Sequence, residues 1–435
     1  MDFWRLFGYA KTSFYHHDSP LSLPTKSTKT EKQTTDLLDL CKEATPICRL
    51  NPLLFNGHLQ TFWTAVESQE DVPIYYKRRI FSAEDPSFAG TFAVDFVVKP
   101  NVGADESLPP RTTFYKDVDF DEIGSMDAKP MLVVLHGLSG GSHEIYLRHV
   151  MRPIVDAGWE ACVVNSRGCA KSKITTGVLY NARATWDVRQ VVKWLRKTFP
   201  NRPLFGIGYS LGANILVNYL GEEGEDCKLK AAVVCSNPWN LETGNLALRR
   251  TWLGHEVYSK TMGTSMKQLF EDHVEELSKN PRVDIEKIRK ITYLYEFDRE
   301  LQGPTWGYPT EGAYYRDASS CDSLLAVRIP LFAIHAEDDP IAVKEAIPFR
   351  EFQQSPFGVL CTTSLGGHLS WFESGGGRWF TKPASQFLIQ FFENVDLEKL
   401  EKTLQATASN GTSVDAKAPT SFNPMRRKLQ IDVEP

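Results

Sequence analysis

The 435-residue sequence has eight cysteines, at 41, 48, 162, 169, 227, 235, 321 and 361, but no C-x-x-C pair. No Cys/His cluster has the spacing of a zinc site. Cys162, Cys235 and Cys361 lie in apolar runs, where a thiol behaves as a small hydrophobe. A bound metal is therefore not expected, and a reduced, intracellular, cytoplasmic setting is. Long hydrophobic runs are missing as well. MLVVL at 131–135 falls far short of the roughly 18 residues a membrane span requires, and the first seventeen residues lack the unbroken apolar stretch of a secretory signal. Neither sign of charge is in large excess: 49 basic residues face 54 acidic ones, for a net charge of −5. That balance does not point to a nucleic-acid partner or a solvating acidic tail. No G-K-[ST] follows the run Gly375-Gly376-Gly377, so it is not a phosphate-binding loop.

The remaining composition, 42% hydrophobic and 24% charged, is that of a globular protein. Residues 18–45 are rich in Ser, Thr, Lys, Pro and Glu, and residues from about 406 onward are similar. The expectation is a mobile extension over 1–45, a catalytic domain over 46–400 and a largely disordered tail over 401–435. Phe3, Leu6, Phe7, Ala10 and Phe14 recur at helical spacing, which leaves packing on the core, simple disorder, or a weak membrane or lipid-droplet contact.

Between the extensions, 74–81 and 91–100 read as an antiparallel hairpin. Short apolar runs without polar alternation follow at 130–137, 160–168, 203–210, 230–238, 330–339 and 358–368. Runs of this kind are strands buried on both faces of a parallel sheet. Helical patterns at 144–158 and 185–200 separate them, so the class is α/β with a mostly parallel sheet flanked by helices. The stretch 239–326 interrupts the rhythm and reads as a helical cap inserted above the sheet. Its aromatic residues, among them Trp252, Tyr258, Phe270, Tyr293, Tyr295, Trp306, Tyr308, Tyr314 and Tyr315, would shield a site from water or simply hold the cap on the sheet.

Gly208-Tyr209-Ser210-Leu211-Gly212 fits G-x-S-x-G, and it sits between an apolar strand and the helical run LGANILVNYL. The motif requires that context, because a tight strand-to-helix turn lifts the serine hydroxyl above the sheet at a helix N-terminus. Ser210 is the expected nucleophile. Its base is His368, which follows the last strand within Gly366-Gly367-His368. The acid lies in Ala336-Glu337-Asp338-Asp339-Pro340-Ile341. A small–x–x–Asp–x–aliphatic register selects Asp339 ahead of Asp338, which is left as a loop-capping or surface carboxylate. An oxyanion hole needs two backbone donors. Leu211, after the nucleophile, and Leu138, in the glycine-rich loop His136–Gly141, are the candidates. His136 is expected to brace that loop.

These residues resemble one branch of the α/β-hydrolases, comprising fungal medium-chain fatty-acid ethyl ester synthase/esterases, bacterial YheT-like hydrolases and animal phospholipases. Asn56-Gly57-His58-Leu59-Gln60-Thr61, HGLSGGS at 136–142, NSRGC at 165–169 and GYSLGAN at 208–214 follow in that branch's order. Glu296-Phe297-Asp298, Gly307-Tyr308, Ala313-Tyr314-Tyr315, DDP at 338–340 and GGH at 366–368 complete the series. The resemblance implies an α/β-hydrolase fold and cofactor-free chemistry on medium-chain acyl esters, with transfer to an alcohol in some members. It carries the triad onto Ser210, Asp339 and His368. A thioesterase acting on a carrier-bound or coenzyme A-bound acyl chain would use the same acyl-serine. A non-catalytic binding protein on this fold would be expected to lack a triad residue, and all three are present.

Overall fold

In chain order the strands are β1 (Thr12–His16), β2 (Ser22–Pro24), β3 (Thr34–Asp36), β4 (Tyr75–Ser82), β5 (Thr91–Val98), β6 (Thr112–Phe114) and β7 (Met131–Leu135). They continue with β8 (Glu160–Asn165), β9 (Leu204–Tyr209), β10 (Leu229–Cys235), β11 (Leu331–Ala336) and β12 (Gly358–Thr363). This is a computed structural model, and it describes residues 7–26, 33–66, 72–100, 103, 105–409 and 424–425. Ten strands form one sheet in the order β1-β12-β11-β10-β9-β7-β8-β5-β4-β6. The six from β12 to β8 are mutually parallel, while β4 and β5 pair antiparallel as expected.

Alternation along the central strands explains their uninterrupted apolar sequence. Leu132 and Val134 of β7 face one core with Phe205 and Ile207 of β9, and Met131, Val133 and Leu135 face the other. Helices Ile145–Asp156 and Thr381–Asn394 cover the first face through residues such as Leu147, Met151, Phe387 and Leu388. Helices Thr185–Thr198 and Leu211–Glu223 cover the second. Each strand residue thus meets apolar neighbours whichever way it points. Helices from Leu241 to Ala318 form the cap between β10 and β11.

The terminal extensions depart from expectation. β1 pairs antiparallel with β12 from Thr12↔Thr363 to His16↔Val359. Helix Leu37–Glu43 buries Leu37, Leu38, Leu40 and Cys41 in the core. Residues 7–26 and 33–45 are therefore built into the molecule, not a mobile linker. The apolar helical face read over 3–14 does not form at Phe14, which is in a strand, and Phe3 and Leu6 lie outside the described residues. At the other end, helix Leu397–Ser409 runs through the boundary placed at 400, and most of 410–435 lies outside the described residues. No helix among the described residues is long and apolar enough to cross a membrane.

Candidate active site

The chain runs from β7 to β8 on one side, then returns to place β9 on the other side of β7. A reversal of this kind leaves a crevice above the carboxyl ends of the two strands. The loop His136–Gly141 leaves β7 there, and Ser210 leaves β9. Ser210 has φ 50° and ψ −120°, in a region that L residues rarely adopt. Neighbouring chain enforces it. A Cβ at Gly212 would lie 2.4 Å from the His136 carbonyl oxygen, and one at Gly208 would lie 2.6 Å from that of Gly212. Both glycines of the motif are demanded by close backbone approach. Ser139, Ser236 and Leu369 also have positive φ, at 52°, 49° and 53°, so backbone strain gathers around this point.

Three side chains from three strand ends meet here. The Ser210 hydroxyl donates to His368 Nε2 at 2.9 Å, and His368 Nδ1 donates to Asp339 Oδ2 at 2.8 Å. Asp339 Oδ1 accepts the amides of Ile341 and Ala342, both at 2.8 Å. Burial alone would raise the Asp339 carboxyl. The charge and hydrogen bond of His368, with His335 and the Ile341 amide, outweigh it and hold the group below its ordinary value. Asp339 is thus kept ionised. Asp338 points elsewhere: its Oδ1 accepts the Gly367 amide at 3.1 Å and so steadies the histidine loop.

The histidine loop is held by a segment that spacing alone does not connect to it. The motif Asn56–Thr61 spans the residue before helix Gly57–Val66 and its first turn. Thr61 Oγ1 accepts the His368 amide at 2.9 Å and donates to the Gly57 carbonyl at 2.7 Å. Gln60 Oε1 accepts the Phe372 amide at 2.8 Å. Gly57 packs so tightly on the Asp338 backbone that a Cβ would lie 1.8 Å from its carbonyl oxygen. The resemblance flagged this motif, but only the tertiary structure gives it a role.

In the loop after β7, Gly137 N–H donates to Tyr146 Oη and Ser139 N–H donates to Tyr180 Oη, each at 2.9 Å. The amide between them, Leu138 N–H, has no partner among the described residues, and neither has Leu211 N–H. Both residues line a cavity with Ser210. The two tyrosines were not legible as loop supports. His136 Nε2 accepts Ser166 N–H at 3.0 Å while Nδ1 donates to the Gly137 carbonyl at 2.7 Å. Burial lowers its pKa to about 4, so it remains neutral as a brace.

The cavity wall is largely aliphatic, with Leu138, Leu211, Leu241, Leu248, Met262, Met266, Leu294 and Ile341. Of the cap aromatics, Tyr314 and Tyr315 reach it. Others bind the cap together. Phe270 is in a cap core, Trp306 Nε1 donates to the Leu179 carbonyl at 3.0 Å, and Tyr293 stacks on His255 with centroids 3.9 Å apart. Among the described residues no group of three or more His, Cys, Asp or Glu side chains could hold a metal ion.

A family model for the alpha/beta hydrolase fold matches residues 130–371, from the start of β7 past the histidine. The chain belongs to the α/β-hydrolase family. Its relatives lie within the branch that the motifs resemble. A monoacylglycerol lipase of Saccharomyces cerevisiae is 37% identical, over 81% of this chain and 82% of its own. Medium-chain fatty acid ethyl ester synthase/esterase 2 of the same organism is 30% identical, over 80% of this chain and 86% of its own. Phospholipase ABHD3 of Homo sapiens is 27% identical, over 84% and 83%. Among α/β-hydrolases this chain is thus similar to lipases and esterases.

Proposed function

We propose that this α/β-hydrolase cleaves carboxylic esters of medium-chain acyl groups, and passes the acyl group to an alcohol when one is abundant. One arrangement carries the reading: the continuous line Asp339–His368–Ser210, which ends on the wall of an apolar cavity at Ser210, beside two unbonded amides. His368 takes the hydroxyl proton as Ser210 Oγ bonds to the ester carbonyl carbon, and ionised Asp339 stabilises the imidazolium. The carbonyl oxygen becomes an oxyanion that accepts from Leu138 and Leu211 N–H. Collapse breaks the bond to the alcohol, which leaves with the proton from His368. Water or a second alcohol then attacks acyl-Ser210, again losing its proton to His368.

The aliphatic wall and relatives named as a lipase and an ester synthase/esterase support an acyl ester as substrate. The alternative of a weak lipid-surface contact through residues 1–17 loses its helical basis, because β1 occupies part of that segment. Fluorophosphonate should label Ser210, and Ser210→Ala should lower turnover about a millionfold while the fold persists. Wild-type rates in folded Ser210→Ala would overturn the assignment. A chain-length series of p-nitrophenyl esters and matched thioesters, with and without ethanol, separates the finer parts. Acid without any ethyl ester would remove the transfer step, and thioester preference would replace the esterase reading.

A further inference from the structure

Two cap motifs, Glu296-Phe297-Asp298 and Ala313-Tyr314-Tyr315, have no part in the chemistry above, yet they meet at the same cavity. The segment Asp298–Gln302 is a π-helical turn, a rare wide form found often at functional sites. Both of its terminal residues line the cavity of Ser210, as does Asn181 from the loop after β8. All three are more than nine-tenths buried. Their hydrogen bonding is incomplete. Tyr315 Oη donates to Asp298 Oδ2 at 2.6 Å, the carboxyl group's sole hydrogen bond among the described residues, and no cation there pairs with it. Gln302 Nε2 donates to the Tyr180 carbonyl at 2.9 Å, which orients the amide and leaves Oε1 without a partner. Asn181 Oδ1 accepts Arg183 N–H at 2.8 Å, which leaves Nδ2 without one. Buried polar groups are costly unless paired, and proteins retain few of them. A cavity meant only for hydrocarbon would be aliphatic throughout.

We propose that Asp298, Gln302 and Asn181 form a polar subsite that binds a hydroxyl group of the substrate. The inference rests on the reading of Ser210 as an ester-cleaving nucleophile. A hydroxyl donates one hydrogen bond and accepts others, so it suits a cavity lining that offers an unpaired amide donor and two acceptors. An ester or thioether oxygen or sulfur offers only acceptors. An ionised substrate carboxylate likewise offers only acceptors. Two sources supply the group: the glycerol of a monoacylglycerol, or a hydroxylated acyl chain.

Both are tested by kcat/KM ratios on enzyme whose active sites have been counted with fluorophosphonate, so that only folded protein enters the rate. One arm compares a monoacylglycerol with the ethyl ester of the same acid. The other compares a hydroxyacyl ethyl ester with its unsubstituted counterpart. Wild type should prefer the hydroxylated member of one pair, which identifies the source. Gln302→Met and Asp298→Asn should each reduce that preference about tenfold or more. The side-chain oxygen left by Asp298→Asn would still accept from Tyr315, so the cap contact survives. No preference in either arm, or ratios moving less than about twofold in both variants, would overturn the subsite and leave these residues as cap supports. An inert wild type is a different failure, that of the esterase reading itself.

Discussion

Two adjacent carboxylates, Asp338 and Asp339, illustrate how one residue of register separates roles. Asp339 meets His368 Nδ1 and two amides, whereas Asp338 meets the Gly367 amide. Under the proposed mechanism, Asp339→Asn would turn an amide N–H towards Nδ1 and select the wrong imidazole tautomer. Steady-state kinetics should then show kcat reduced about ten-thousandfold. The amide oxygen in Asp338→Asn can still accept from Gly367, so that variant should cost less than about tenfold. Equal losses at both positions would contradict this division of labour.

At the scale of elements, helix Gly57–Val66 positions the histidine although it lies about 300 residues away in sequence. Thr61→Val keeps the side chain's shape but removes the oxygen that accepts the His368 amide. Loss of a single neutral hydrogen bond corresponds to about 1 kcal/mol, so kcat should fall roughly fivefold. Thr61→Ser should restore it, and no recovery in the serine variant would assign the loss to packing. The cap contains a titration of its own. Burial pushes the Asp298 carboxyl up to about 7, despite the Tyr315 hydrogen bond. A carboxyl raised in the folded state contributes stability that is fully present below its unfolded value near 4. That stability is lost as pH rises through about 7. The loss is at most about 4 kcal/mol. The melting temperature of Asp298→Asn relative to wild type should therefore climb by a few degrees between pH 5 and pH 8. A flat difference across that range would argue against a buried, proton-bearing carboxyl.

Across the whole molecule, buried ion pairs tie the hairpin side of the sheet to the loops around the site. Arg78 of β4 meets Asp95 of β5 at 2.6 and 2.7 Å with both side chains fully buried. Asp95 also accepts from Ser142 Oγ at 2.6 Å and Asn165 Nδ2 at 2.9 Å, while Arg78 donates to the Ala170 carbonyl at 2.8 Å. Arg167 pairs with Asp187 and with the carbonyls of Phe88 and Ala89. Asn165 and Arg167 belong to NSRGC, which is thus a structural junction near the candidate site. Removing one partner leaves a buried charge, so Asp95→Ala should lower unfolding free energy by about 3–5 kcal/mol in denaturant titration. A loss below about 1 kcal/mol would mean that water reaches the unpaired arginine.

The α/β class and the central strands to within a few residues were legible in the sequence, as was the placing of Ser210, Asp339 and His368 directly after strands. Each depends on local pattern: apolar runs flanked by turns, a glycine-bounded serine, and acid and histidine loops directly after strands. The terminal segments were not legible. β1 is a five-residue strand of half-buried side chains, and its stability comes from pairing with β12, a partner about 350 residues distant. The same holds for Thr61 on the histidine loop, for Tyr146 and Tyr180 under Leu138, and for the meeting of Asp298 with Tyr315. Those contacts join segments that share no periodicity, so composition and spacing cannot register them. Local sequence specified which side chains the candidate site offers, and only the packing of distant segments decided what holds them in place.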